Sequence, residues 1–492
     1  MDYVLALDVG TTNVKAAAFD QQGNLLAKES LNYPILSIPP DLQEQIPEVI
    51  AAASETCITN LVKTMAHPPL GISLSSAMHS LIVMDKNHQP LTNSIIWADG
   101  RSAPQAQALK ASSAGTTIYH RTGTPIHAMS PLCKIAWLRL NQPDVFHQAA
   151  KFISIKEFLL FRWLGQYVVD ESIASATGLF DIYEKTWYSP ALAYLGINTT
   201  QLSQPVPTSH LLLGIKTDAR IRLGLNQDVP IVVGASDGCL ANLGEQVLDE
   251  REAAMSIGTS GAIRITSRQP IRDEEERIFN YILDETYFVV GGATNNGGIV
   301  HEWISHLLPI SHQAMEKVPI GAEGLFFLPY LLGERAPIWD SHAKGAFIGL
   351  NIQHSAAHLY QAVLEGIAFN LLAIFDALQS HAAPIKHIYA NGGFMKNEKA
   401  VQILSDAFGI PISLQTHEEG AALGAAWLGW KALGRLDSWS QLPRPNVKKT
   451  YHPNLEHHQK YQNLFVIWKP IYDALKPTFY ALEKYQSNNQ VV

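Results

Sequence analysis

Apolar residues arrive in dense runs at the start of the chain. Tyr3-Val4-Leu5-Ala6-Leu7 is apolar at every position and ends in Asp8. A run with no polar face to leave in water predicts a strand buried in the middle of a sheet. Val9-Gly10-Thr11-Thr12-Asn13 follows, residues 14–19 are dominated by apolar side chains again, and Asp20-Gln21-Gln22-Gly23-Asn24 turns the chain into Leu25-Leu26-Ala27. This predicts a hairpin over about 4–30: strand, turn, returning strand. Within 43–66, Ile46, Val49, Ile50, Ile58, Leu61, Val62 and Met65 fall at helical spacing, and His67-Pro68-Pro69 stops the helix. Short strands are predicted at 71–75, at 81–84 and up to Ile95-Ile96-Trp97. Helices are predicted after Arg101, over 131–140 with proline in the first turn, and over 154–164. Residues 205–209 read as loop, and Val229-Pro230-Ile231-Val232-Val233-Gly234 as another buried strand.

The second half opens on Ala253-Ala254-Met255-Ser256-Ile257-Gly258-Thr259-Ser260-Gly261-Ala262-Ile263. It repeats the plan of the first stretch, an apolar approach, a Gly-Thr turn and a returning strand, with Ser256 where the first copy has Asp8. In 354–380, Leu359, Val363, Ile367, Leu371, Ile374 and Leu378 share one face of a predicted core helix. His387-Ile388-Tyr389-Ala390 predicts a strand running into Asn391-Gly392-Gly393-Phe394, followed by helices at 397–408, at 421–432 (rich in small residues) and at 459–484. Alternating strands and helices mark the α/β class. A chain of 492 residues exceeds the size at which one core stops growing. The duplicated segment predicts two related domains facing each other across a cleft, here 1–245 and 246–450, with a helical tail over 451–492.

The chemistry collects at the strand ends. Asp8 stands where a buried strand meets solvent, Gly10 permits a tight turn, and Thr11 and Thr12 offer hydroxyls and N–H groups suited to phosphate oxygens. Because a strand returns after this turn, it is not the phosphate loop that opens a helix. Gly258 and Thr259 offer the same groups in the second copy. In Gly234-Ala235-Ser236-Asp237-Gly238 a carboxylate ends a buried strand between glycines, a rigid and accessible support for a general base acting on an alcohol. Gly392 and Gly393 lie between strand and helix, where a flat ligand can approach bare backbone.

Composition narrows the class. With 16 % charged residues and a net charge of −8 without a basic stripe, a nucleic acid partner is not expected. The chain enters a strand without a leader segment, and no apolar run reaches the ~20 residues of a membrane span. Cys57, Cys133 and Cys239 show no metal spacing and fit reduced thiols, so a cytoplasmic protein is expected.

The opening turn resembles the first phosphate loop of the sugar-kinase, actin and heat-shock ATPase superfamily. Two longer stretches narrow this. Met129-Ser130-Pro131-Leu132-Cys133-Lys134-Ile135-Ala136-Trp137-Leu138, and residues 345–366 with Gly349-Leu350, His358-Leu359 and Leu364-Glu365-Gly366, resemble the signature patterns of the FGGY family of carbohydrate kinases. The first departs from the pattern at Leu140, where a polar residue is usual. The resemblance implies two actin-like, ribonuclease H-like domains around a cleft, with ATP and Mg²⁺ as cofactors. It implies that Asp237 is the base and that Asp8 holds the Mg²⁺ shell through water. Gly10, Thr11 and Thr12 would face the transferring phosphate, and Gly258 with Thr259 the others. Gly298 would line the nucleotide, and Gly392, Gly393 and Asn397 would lie by adenine. Met78 and His79 match the sugar-contacting pair of xylulokinases, and Trp97 the aromatic against the polyol. Core packing for Met78 and Trp97, and a backbone-bonded role for His79, are the competing assignments.

Ser75-Ser76-Ala77-Met78-His79-Ser80-Leu81 and Tyr119-His120-Arg121-Thr122-Gly123-Thr124-Pro125-Ile126-His127 resemble the gluconate-kinase branch, as do Phe152-Ile153-Ser154-Ile155-Lys156-Glu157 and Ser172-Ile173-Ala174-Ser175-Ala176-Thr177-Gly178. That implies D-gluconate as acceptor, with D-xylulose or a related ketose or polyol as the alternative and an actin-like ATPase as the rival of another class. A carboxylate on the substrate calls for a cation in the pocket. His79, Arg101 and Lys156 are the candidates. Oligomeric state stays open, a homodimer among the options.

Overall fold

The computed structural model describes residues 2–38, 41–308, 317–415 and 419–489. Two mixed sheets organise it. The first contains β1 (Val4–Val9), β2 (Asn13–Phe19), β3 (Leu25–Asn32), β4 (Gly71–Ser76), β5 (Leu211–Leu212) and β6 (Ile231–Ser236), in the order β5-β6-β4-β1-β2-β3. The second contains β7 (Glu252–Ile257), β8 (Gly261–Ser267), β9 (Phe279–Ile282), β10 (Phe288–Thr294), β11 (His387–Asn391), β12 (Ile412–Gln415) and β13 (Val447–Tyr451), in the order β9-β10-β8-β7-β11-β12-β13. The repeat seen in the sequence is a repeat of topology. β1 pairs antiparallel with β2 and parallel with β4, and β7 pairs antiparallel with β8 and parallel with β11. The predicted hairpin extends to a meander, since β3 adds antiparallel to β2.

β1 is apolar on both faces because both are covered. Leu5 and Leu7 pack into one core with Ile50, Ile58 and Leu61 of helix α1 (Pro47–Thr64). Val4 and Ala6 point the other way, into the larger core. Helix α2 (Asp237–Gly244) leaves β6; helices α3 (Gly298–Leu307), α4 (Ala356–Gln379), α5 (Glu398–Phe408) and α6 (Gly420–Ala432) belong to the second half. α6 follows β12 yet crosses the first sheet: a Cβ on Gly429 would lie 2.7 Å from a methyl of Val4. α2 and α6 meet backbone to backbone. A Cβ on Gly244 would lie 1.9 Å from the Gly420 carbonyl, and one on Gly424 1.9 Å from the Leu240 carbonyl.

The one-faced core helix predicted over 354–380 is buried on every side from Tyr360 to Phe375, while Leu359 of the predicted face is half-buried. Gln361, Glu365 and Asn370 of α4 are as buried as its leucines, and their polar ends are bonded inside: Gln361 donates to Glu365, and Asn370 to Glu334. α4 is long and apolar enough to cross a membrane, but 94 % of that stretch is inside the protein, as expected of a core helix. The start of the predicted 205–209 loop belongs to a short strand, Gln204–Val206, parallel to Val168–Asp170. The tail forms α7 (Leu455–Trp468) and α8 (Ile471–Asn489), whose Tyr461, Phe465, Trp468 and Tyr472 join the larger core.

Candidate active site

A cavity of about 370 Å³ opens between the two sheets, and Asp8, Thr11, Met78, His79, Trp97, Asp237 and Gly258 all line it. The strand ends bring them there. Asp8 lies opposite Ser75 on parallel β4, and the Ser75 hydroxyl donates to its carboxylate at 2.6 Å. Burial raises the Asp8 pKa, against the Ser75 hydrogen bond and the Lys15 charge. Lys15, on the returning strand, is paired with Glu419 at 2.9 Å.

Asp237 is delivered by a bulge. β6 shifts register against β4 between Val232 and Ala235, and Gly234 there has φ +77. Ser236 caps α2, accepting from the Cys239 N–H, so Asp237 is the first helical residue. Its carboxylate accepts from the Gly238 N–H at 2.7 Å. A helix N-terminus favours ionised carboxylate, but burial and then the Asp8 charge outweigh it and push Asp237 up to about 6. Two acids distant in sequence therefore feel each other across the cavity.

The Trp97 indole N–H donates to the Thr11 hydroxyl at 2.9 Å, which ties the aromatic wall to the phosphate-type turn. Met78 and His79 share that wall. His79 has φ +68, an uncommon backbone for a non-glycine residue. It is held by the ammonium of Lys134, which is buried and spends all three protons on the carbonyls of His79, Ile95 and Ile96 at 2.6, 3.1 and 2.8 Å. The same lysine thus fixes the approach to Trp97. It lies in the 129–138 segment, whose pattern gave no hint of this bond.

The remaining predicted residues extend from the cavity rim. Gly10 and Thr12 share the turn of Thr11, closed by the Gly10 N–H to the Asn13 carbonyl at 3.0 Å. The N–H of Gly298 donates to Gly258 at 2.8 Å, and the N–H of Ile299 to Thr259 at 3.1 Å. Gly392 is glycine for packing: its φ is +105 and a Cβ would lie 2.3 Å from the Ile257 carbonyl. Gly393 has open space where a side chain would be. Asn397 caps α5 through the Ala400 N–H and places its amide 3.2 Å from His301 of α3. Gly258, Gly298, Gly392 and Asn397 therefore form one backbone-lined shelf next to the cavity.

The three predicted cations fail in this role. Arg101 is paired with Glu44 and Asp99 and lies over Trp137, away from the cavity. Lys156 is buried against Asp170 at 2.6 Å and the Ala235 carbonyl. His79 lines the cavity but is neutral: its Nδ1–H donates to the Ala176 carbonyl at 2.8 Å, and burial pulls its pKa down to about 3. The backbone bond and the cavity position hold together, so the two assignments for His79 are not exclusive. The cations that do face the cavity are Arg264 and Arg335. Arg264 is legible in hindsight, two places after Ala262 on a strand whose alternate residues face the cleft. Arg335 lies in an irregular segment with no periodicity to reveal its direction.

Family models match nearly the whole chain: the N-terminal domain of the FGGY family of carbohydrate kinases over residues 3–244, and its C-terminal domain over 253–433. The chain belongs to the FGGY family of carbohydrate kinases. This FGGY kinase is 38 % identical to a gluconokinase of Bacillus licheniformis, over 98 % of each chain. Its fold is similar to the crystal structure of a gluconate kinase from Lactobacillus acidophilus, with TM-score 0.93 and 35 % identity over 98 % of this chain and 99 % of that one. A ligand-bound xylulose kinase from the same organism matches with the same TM-score and identity, over 98 % of this chain and all of that one. The α/β fold with two duplicated halves around a cleft is thus the fold of this kinase family.

Proposed function

We propose that this carbohydrate kinase transfers the terminal phosphoryl group of ATP to D-gluconate, giving ADP and 6-phosphogluconate. The observation that carries the reading is that Asp8 and Asp237, 229 positions apart by their numbers, open onto one cavity flanked by the Thr11 and Gly258 turns. Asp237 takes the proton as the acceptor's terminal hydroxyl oxygen bonds to the γ-phosphorus, and the bond from that phosphorus to the bridging oxygen of ADP breaks. A carboxylate with a pKa of about 6 is mostly ionised at neutral pH and still basic enough to accept that proton. Trp97, Met78 and His79 form the wall that orients the acceptor, and the residue 1–245 half supplies both this wall and the base. The 246–450 half, with its shelf of Gly258, Gly298, Gly392 and Asn397, holds the nucleotide. Helices α7 and α8 of the tail brace that half.

Mg²⁺ commonly binds through one or two carboxylates and substrate phosphates, and Asp8 beside the phosphate-type turn fits that donor set. When bound, the ion neutralises charge on the phosphates. Asp8, held by the Ser75 hydroxyl, is the residue that would hold the ion there. Asp8→Asn is expected to raise the Mg²⁺ concentration for half-maximal rate by roughly 10–100-fold. Initial rates against Mg²⁺ check this, and an unchanged requirement overturns the assignment.

The likeness to gluconokinases and the two arginines in the cavity favour gluconate. The equal likeness to a xylulose kinase structure favours D-xylulose as the second reading. ADP release measured in a coupled assay with gluconate, xylulose, ribulose and glycerol separates them. Gluconate is expected to give the highest kcat/KM, and a higher value for xylulose overturns the choice of acceptor.

A further inference from the structure

Arg264 and Arg335 line the cavity, and among the described residues neither is ion-paired with a carboxylate. Half-buried arginines elsewhere are of two kinds: Arg139 reaches the Tyr194 carbonyl and Arg220 the Thr217 hydroxyl, with no described acid on either. Arg101, Arg162, Arg222 and Arg277 each sit on an acid at 3.0 Å or less. Arg335 donates to the Thr294 carbonyl at 3.1 Å, lies 4.7 Å over the Trp97 ring, and has its Nε buried without a partner. Among the described residues Arg264 donates only to the Ser256 hydroxyl, at 3.4 Å, while its charge acts on Asp237 and Glu245. Asp8 and Asp237 face the same cavity and the Asp237 charge acts on both arginines, yet among the described residues neither arginine has a carboxylate in direct contact, which leaves their N–H groups open to a bound carboxylate. Burial, with Arg264 adding to it, lowers the Arg335 pKa to about 10, so Arg335 stays charged at neutral pH.

Phosphate oxygens have their own receivers in the backbone of the Thr11 and Gly258 turns. The arginines reach the acceptor side of the cavity. Arg335 covers the aromatic wall at Trp97. Arg264 has its Nε 3.8 Å from where a Cβ on Gly238 would lie, next to Asp237 and the Met78 methyl. We infer that Arg264 and Arg335 together form the receptor for the carboxylate of a sugar-acid acceptor, which makes them the residues that set acid over neutral sugar. The inference rests on the gluconate reading and names the groups that would enforce it.

The test uses the full chain as wild type, Arg264→Met, Arg335→Met and Arg264→Lys, with folding checked by thermal melts. Gluconate affinity is measured by titration calorimetry without nucleotide, and KM is measured for gluconate, D-xylulose and ATP. Each methionine variant is expected to weaken gluconate binding and raise its KM by roughly 10–100-fold, the range for a lost charge-assisted hydrogen bond. KM for ATP should stay within about threefold, any xylulose turnover should fall by clearly less than gluconate turnover, and Arg264→Lys should recover part of the loss. Unchanged gluconate affinity with a raised KM for ATP, or equal losses on both acceptors, overturns the inference and assigns the arginines to the phosphates. Wild type that binds gluconate without phosphorylating it overturns the gluconate reading alone. Wild type that binds no sugar acid overturns both. If one methionine variant does not fold, the other and Arg264→Lys decide by the same criteria.

Discussion

Asp237→Asn is expected to fold, to bind nucleotide, and to lose phosphoryl transfer by about a thousandfold, the middle of the range for a general base. The amide keeps the size of the carboxylate and can still accept from the Gly238 N–H. What it loses is the capacity to take a proton. The pH profile makes the test specific. The base works ionised and its pKa is raised to about 6, first by burial and then by Asp8. In the wild type kcat/KM should therefore rise with pH up to about 6 and level off above it. Below that value it should fall about tenfold per unit. The amide does not titrate there, so the residual activity of the variant should lack this limb. Removing the Asp8 charge should shift the wild-type limb to lower pH, because a neighbouring negative charge is part of what holds the proton on. Turnover within a few-fold of wild type, or an acid limb that survives in Asp237→Asn, would exclude this carboxylate as the base.

Gly234→Ala is expected to unfold the first half at far lower denaturant than wild type, by about 4 kcal/mol or more. A Cβ there would lie 1.6 Å from the Leu74 carbonyl oxygen, which belongs to the adjacent buried strand and has no room to retreat. The φ of +77 adds a smaller cost of about 1 kcal/mol. Gly214 is the control: its φ is +86 and a Cβ added there would meet nothing within 4 Å, so Gly214→Ala should cost only the backbone term. Urea unfolding of the two variants separates close approach from conformational freedom. Equal losses would mean that the bulge, and with it the delivery of Asp237, is not held by this contact.

The buried strands and the duplicated turn were legible because both-face burial and Gly-Thr spacing are local properties. Asp8, Asp237, Thr11 and Gly258 could be named from strand ends for the same reason. The cations could not. Arg101, Lys156 and Arg335 differ in what lies across from them, and that is decided by contacts far along the chain: Glu44, Asp170 and Trp97 respectively. Likewise α4 reads as one-faced in sequence because its polar residues look solvent-bound, and only the fold shows Glu365 accepting from the Gly321 N–H inside the protein. The helix cap at Asn397 and the packing role of Gly392 are of this second kind, set by neighbours the local sequence does not name.

The crossing of α2 and α6 has a mechanical consequence. Glycine meets main chain at two reciprocal points, so neither helix can slide along the other by a residue without driving a Cβ into a carbonyl. The two helices are thereby fixed in register, and because Asp237 is the first residue of α2, the base is carried by a helix locked to one from the second half.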